Sequence, residues 1–272
     1  MADDGRRKSF AAMTSWAFDP LTYQVAWRAF GVDRPHYPFQ YRSTSETTDE
    51  YERECLQAAT GFRSRLDDDL YWAFATMLDP EARVYICGFS GAGDAEKIRS
   101  YIAVRGPRAV VMRQDPGPDH HSGGAVHLAG ISFADCGASA VRALPPAAPG
   151  RRPRIDAELR DLDRRDEFDA DASWLRAPDA RATPAQRFER ILGLPRTSAG
   201  RIEVYSGATI SERATGPARE VRWVDLADDG RYLVISNSRT VSLLPGPDES
   251  LGNHIHKLVG AAIDDTRSEP VH

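Results

Sequence analysis

The sequence of 272 residues predicts an α+β fold of two lobes, with a central, largely antiparallel sheet. The same order of elements is written twice: helices, then four or more strands, then one closing helix. Each copy carries a Leu-Pro beside that helix, at Leu144-Pro145 and Leu244-Pro245. The strand candidates alternate from one face to the other, the period-two signature. Turn residues join them, which favours hairpins and antiparallel pairing. The two copies share element order and not residue identity, so the duplication is architectural.

Residues 1–17 read as a flexible tail. No signal-peptide apolar core follows Arg6-Arg7-Lys8, and Trp16 and Phe18 are available to tack onto the core. The N-terminal lobe spans 18–150. Asp19-Pro20 is a helix start, with Asp as cap and Pro at the first helical position. Leu21, Tyr23, Val25, Trp27 and Phe30 give its apolar surface, and Gly31 stops it. Pro35–Phe39 is extended, because each proline pushes its predecessor away from helix. Thr47-Thr48-Asp49-Glu50 is a capping box for a helix reaching about Leu66, with Tyr51, Cys55, Ala58 and Phe62 on one stripe. Asp67–Asp69 cap a third helix, which carries Leu70, Ala73, Phe74, Met77 and Leu78.

Four strands follow Asp79-Pro80: Arg83–Cys87, Lys97–Arg105, Ala109–Gln114 and Ala125–Phe133. In the second, Ile98, Ser100, Ile102 and Val104 face one way and Arg99, Tyr101, Ala103 and Arg105 the other. Gly106-Pro107 is a hairpin turn, and Asp135–Leu144 a helix ended by Pro145-Pro146.

Residues 151–182 read as a charged linker or helix. Of the 21 residues 151–171, 14 are charged, while Ile155, Leu159 and Leu162 keep the spacing of a narrow apolar helix edge. From Phe168 to Ala182 a loop is expected, anchored by Trp174. The C-terminal lobe spans 183–264. Thr183-Pro184 starts a helix with Phe188, Ile191 and Leu192 on its stripe, and Gly193 stops it. Strands are expected at Arg201–Ser206, Ala208–Glu212, Ala218–Leu226, Arg231–Asn237 and Thr240–Leu244. Asp228-Asp229-Gly230 and Asn237-Ser238 supply the turns. Pro245–Ser250 opens a last helix through Leu251, Ile255, Leu258, Val259 and Ala262, and 265–272 is a polar tail.

With 41% hydrophobic residues the chain can bury a substantial core. A net charge of −5 argues against a nucleic-acid partner. No apolar run is long enough to insert into a membrane. Cys55, Cys87 and Cys136 are widely spaced with no CxxC, which suits reduced thiols and a cytoplasmic location.

Nothing in the sequence assembles catalytic chemistry, so no enzyme, cofactor or metal site is expected. The Gly-rich run Gly88-Phe89-Ser90-Gly91-Ala92-Gly93 follows a strand but fits neither phosphate-binding pattern, and a strand, not a helix, comes next. It is not a nucleophile elbow either, since position 92 is Ala. His120-His121 is a loop pair lacking further ligands nearby in sequence, and His254 and His256 point to different sides of a helix. Asp228-Asp229 and Asp264-Asp265 are explained by a turn and a tail. Trp223 and Tyr232 are expected as core side chains.

Several stretches resemble the EspG family, the chaperones of type VII (ESX) secretion in actinobacteria. Leu21-Thr22…Val25-Ala26-Trp27…Phe30-Gly31…Pro35…Tyr37-Pro38-Phe39 is similar to that family's opening. Asp67…Leu70…Leu78-Asp79-Pro80-Glu81 resembles its third helix, and Ala140–Pro145…Pro149-Gly150 its half-way punctuation. The most specific piece is Val221-Arg222-Trp223-Val224-Asp225…Gly230-Arg231-Tyr232-Leu233, followed by Val241…Leu244-Pro245. The likeness covers about 18–262. It implies a pseudo-two-fold fold with two helical bundles. It also implies a non-enzymatic chaperone, a monomer or weak dimer, that binds the PPE tip of a PE–PPE-type pair or another ESX substrate without a cofactor. The family's partner residues form no motif that maps one by one. Geometry instead suggests a partner surface at Ser90, Gly91, Ala92 and Gly93, at the outward Arg99 and Tyr101, at Arg222 and Val224, and at Leu251 and His254. Two alternatives are a two-lobed scaffold with an unrelated client and a small-molecule enzyme using Gly88–Gly93.

Overall fold

The computed structural model describes residues 14–33, 37–163, 182–208 and 218–268. In the first half, strand β1 (Ser15–Phe18) is followed by helices α1 (Pro20–Ala29), α2 (Thr48–Arg65) and α3 (Asp68–Leu78). Strands β2 (Ala82–Ser90), β3 (Glu96–Arg105), β4 (Arg108–Pro116) and β5 (Gly123–Ser132) and helix α4 (Cys136–Arg142) complete it. The second half repeats the order: β6 (Ile155–Glu158), α5 (Leu159–Asp163), α6 (Pro184–Leu192), β7 (Arg196–Ser206), β8 (Arg219–Leu226), β9 (Arg231–Ser236), β10 (Thr240–Pro245) and α7 (Asp248–Ser268).

All ten strands form one antiparallel sheet, ordered β1-β5-β4-β3-β2-β7-β8-β9-β10-β6. The order reads alike in both directions from the β2–β7 seam. Each half lays a four-strand meander outward and adds its first strand at the outer edge, an approximate dyad in topology. The seam is fully paired, from Ala82↔Ser206 to Ser90↔Ser198.

Alternation along the strands feeds two faces. Helices α4 and α7 cover the centre of one face, where Leu251, Ile255, Val259 and Ala262 pack on Val84, Ile86, Ile102, Ile202 and Val204. On the opposite face α1–α3 cover the first half through Trp27, Phe62, Leu70 and Phe74, against Tyr101, Val110, Met112 and Leu128. Helix α6 covers the second half through Ala185, Phe188 and Ile191. Helix starts are fixed as the sequence suggests: Asp19, Thr47, Asp67 and Thr183 each cap a backbone N–H, and Thr183 with Gln186 completes a capping box.

Several elements differ from the sequence expectation. Ser15–Phe18 is an edge strand, not tail, because its partner β5 offers an open ladder from Val126 to Ala129. Ile155–Glu158 is a strand, not part of a helix: Ile155 and Ala157 are buried, Asp156 and Glu158 exposed, and β10 takes all four as partners. The helical spacing of Ile155, Leu159 and Leu162 spans a strand-to-helix junction. Strand β2 runs through Gly88-Phe89-Ser90, so these residues are ladder and not loop. Strand β7 begins at Arg196, ahead of the expected start, because β2 and β8 pair with its first residues; Ser198 and Gly200 are small for a packing reason. A Cβ on Gly200 would lie 2.3 Å from the Trp223 ring and 2.3 Å from the Cys87 carbonyl, and one on Gly88 would meet the same ring at 2.7 Å. The indole occupies that space, and its Nε1–H donates to Ser198 Oγ at 2.8 Å. Most of the expected strand Ala208–Glu212, and the loop with Trp174, lie outside the described residues.

The outer strands β1 and β6 have four residues each. Arg65 donates to the Ala17 carbonyl at 3.0 Å and its guanidinium lies 4.7 Å over the Phe18 ring. Arg154 pairs with Asp156 on the other edge.

A buried ion pair of the second half also holds the strap that leads from the first. Arg231, 1% exposed, donates through Nε and Nη2 to the two oxygens of buried Asp225 at 2.8 and 2.9 Å. It also donates to the Pro145 carbonyl and to Asp248 at the start of α7. Its backbone is bound to the strap between halves: Arg231 N–H donates to the Ala148 carbonyl and Gly150 N–H to the Arg231 carbonyl. Next to it Asp229 accepts from the Arg151 amide, the Arg152 guanidinium and the Tyr232 hydroxyl, each at 2.8 Å. Burial opposes the charge of Asp229, yet these donors outweigh it and bring the carboxyl from 3.8 to about 2.

Two outcomes follow. Arg231→Met strips the buried Asp225 carboxyl of its guanidinium partner, and is expected to cost about 3–5 kcal/mol in denaturant unfolding. Adding Asp225→Leu should restore much of the loss. The depressed Asp229 carboxyl contributes stability that is full above pH 3.8 and is lost as pH falls through about 2. Thermal melts should therefore show an acid decline in that window that is flattened in Asp229→Asn.

Candidate functional site

On the face carrying both helical bundles, the bundles leave the middle of the sheet uncovered between them. The resulting groove has a volume of about 840 Å³. Its floor follows from register. Arg99 lies beside Cys87, Cys87 beside Arg201 and Arg201 beside Arg222, one row across β3, β2, β7 and β8. The next row is Lys97, Phe89, Ala199 and Val224. Tyr37, Pro38 and Gln40 form the wall on the α1–α3 side. Leu159 and Leu162 of α5 with Phe188 and Leu192 of α6 form the other.

Arg99 is 3% exposed. Its Nη2 donates to Gln40 Oε1 at 2.7 Å and to the His120 carbonyl at 2.9 Å, while Nη1 meets no acceptor among the described residues. Burial lowers its pKa from the usual arginine value, though guanidinium stays charged. Tyr37 is held up to about 12 by burial, and its hydroxyl accepts from the Cys87 thiol at 3.4 Å. Burial also raises the Cys87 thiol. Arg201 pairs with Glu203 at 3.1 Å and Arg222 with Glu220 at 2.5 Å.

The residues singled out from sequence fall in three places. Arg99, Arg222 and Val224 are in the groove lining, Arg99 and Val224 mostly buried in its floor. Ser90 ends β2, and Gly91, Ala92 and Gly93 turn from it to β3, with Gly91 and Gly93 at positive φ and a 3₁₀ turn at Ala92–Asp94. The turn is tied to β7: Gly91 N–H donates to the Thr197 carbonyl and Arg196 pairs with Asp94 at 2.8 Å. The third group requires correction. Tyr101 does not face outward; it is fully buried 5.1 Å from Tyr85, because α1–α3 cover that side of β3. Leu251 is fully buried in the core under α7. His254 is on α7, the helix that packs on the other face, where burial and then Lys257 lower its pKa.

Leu159, Leu162, Phe188, Leu192, Tyr37 and Arg201 were not singled out for this surface. The signal available was excess: the α6 stripe has three large apolar residues, and Leu192 is only half-buried.

His120 packs on Phe89 with ring centroids 5.5 Å apart and its Nε2 is 3.2 Å from the Ala95 carbonyl. Among the described residues no His, Cys, Asp and Glu side chains cluster as a metal site. No described helix is long and apolar enough to cross a membrane.

The groove is open, with apolar side chains on its walls and charged ones on its floor, and lies between two bundles on one sheet. The EspG family profile matches residues 19–257, and the chain belongs to the EspG family. Its fold is similar to that of the Mycobacterium tuberculosis type VII secretion system chaperone EspG5, solved in complex with a PE25–PPE41 dimer. That similarity has 8% sequence identity and a TM-score of 0.53, over 92% of this chain and 96% of that one. No curated protein matches the sequence.

The thiols report the site. Cys87 is half-buried in the groove floor, whereas Cys136 is fully buried with its thiol pushed up to about 12 by burial. N-ethylmaleimide should modify Cys87 slowly, faster as pH rises, and Cys136 only after unfolding. Peptide mass spectrometry of a labelling time course decides this, and Cys136 reacting ahead of Cys87 would contradict the placement of the floor.

Proposed function

We propose that this chain is a non-enzymatic chaperone of type VII secretion. It seats the PPE tip of a PE–PPE-type pair in the groove, keeps the pair soluble in the cytoplasm and directs it to its own secretion system. The observation that carries this is membership of the EspG family across residues 19–257, joined to an open groove of about 840 Å³ between the bundles. An exposed apolar tip aggregates, and covering it removes that surface from water. Binding of this kind needs a few buried anchors and no reacting group. The chain works as a monomer or weak dimer and uses no cofactor.

The enzyme alternative lacks its key part. The Gly88–Gly93 run gives three residues to β2 and the rest to a hairpin turn, and a strand follows, so no helix N-terminus receives a phosphate. The test is co-expression with each PE–PPE-type pair of the native host. A stable complex with one pair on size-exclusion chromatography is expected, together with loss of client solubility when the chain is omitted. Failure of every pair to bind, with all of them soluble alone, would sink the proposal.

A further inference from the structure

The groove is charged against the sign of the molecule. The whole chain carries −5, yet among the described residues five cations, Lys97, Arg99, Arg196, Arg201 and Arg222, line the groove and no Asp or Glu does. The carboxylates that pair with three of them, Asp94, Glu203 and Glu220, are outside the lining. Each pair occupies one edge of a guanidinium and leaves further N–H donors for another acceptor. Arg201 and Arg222 have 48% and 63% of their side chains exposed. At the floor, Arg99 Nη1 is a buried donor with no acceptor among the described residues, a condition that a bound anion relieves. Lys97 sits 5.6 Å over the Phe89 ring. The walls are apolar, at Phe188 and Leu192 on one side and Tyr37 on the other.

We propose that the groove selects an acidic helical tip: apolar side chains seat on the walls while client carboxylates lie over the arginine row, and Arg99 and Arg222 set specificity. This rests on the chaperone reading above and adds the chemistry of the client. A tip bearing lysines meets like charge in a low-dielectric cleft and is rejected.

The experiment uses the full chain and two kinds of probe. One is a PE–PPE-type pair from the co-expression test. The other is a pair of labelled helical peptides with the same leucine face, one carrying glutamates and one lysines on its polar face. Anisotropy titrations compare wild type, Arg222→Glu and Arg99→Met at low and high salt. The glutamate peptide should bind wild type about tenfold or more tighter than the lysine peptide, with the gap closing at high salt. Arg222→Glu, at an exposed position, should abolish or invert the preference, and Arg99→Met should weaken the glutamate peptide about tenfold. If the PE–PPE pair binds wild type and Arg222→Glu equally and without salt dependence, the charge inference is overturned while the chaperone function stands. If no pair binds but the glutamate preference holds, the chaperone reading fails and the acidic selectivity stands. Equal binding of both peptides overturns it. So does self-association of the chain that Arg222→Glu abolishes, which would assign the groove to a second copy.

Discussion

The pairing of Arg231 with Asp225 is the contact on which the two-lobed arrangement turns. A charge with 1% exposure is tolerable only when its donors are met. Here they are met by the β8 carboxylate, the Pro145 carbonyl in the strap and Asp248 at the head of α7. The three acceptors come from three parts of the chain. Moving any one of them exposes the guanidinium to an incomplete shell, so the strap, the second meander and the last helix hold a single relative placement. That placement puts α7 over one face and leaves the opposite face free for α5 and α6 to wall the groove.

The seam between halves carries a second constraint. Two glycines at adjacent strand positions let the Trp223 ring lie against β2 and β7 where no side chain could stand. The sheet therefore crosses the dyad without a break, and the row Arg99, Cys87, Arg201 and Arg222 runs from β3 to β8 with a single non-arginine on β2. A groove floor made of one hydrogen-bonded ladder is rigid, which reduces the ordering cost when a partner binds.

Much of this was legible in the sequence where one short-range signal dominated. The caps at Asp19, Thr47, Asp67 and Thr183 located four helices, because a cap is a local hydrogen bond. The hairpin turns at Gly106-Pro107 and Asp229-Gly230 located strand boundaries by the same logic. What escaped notice was set by distant partners. Ile155–Glu158 is a strand because β10 lies beside it, and Ser198–Gly200 belongs to a strand because β2 and β8 pair with it. Of the groove lining, Arg99, Arg222 and Val224 lie in strands that the sequence marks. Tyr101 was misplaced because both sides of β3 are covered over that stretch, and alternation cannot tell one buried face from another. The walls from α5 and α6 depend on packing across the sheet, which spacing along the chain does not encode.

Among the described residues the sheet is open, ending in β1 on one side and β6 on the other. Four-residue margins offer too little length for another chain to zip onto. One margin is further occupied by Arg65, which takes up the Ala17 carbonyl and shields the Phe18 ring, and the other bears an Arg154–Asp156 pair. Both rims are thus poor templates for another chain, and the open part of the sheet lies in its middle, between the bundles.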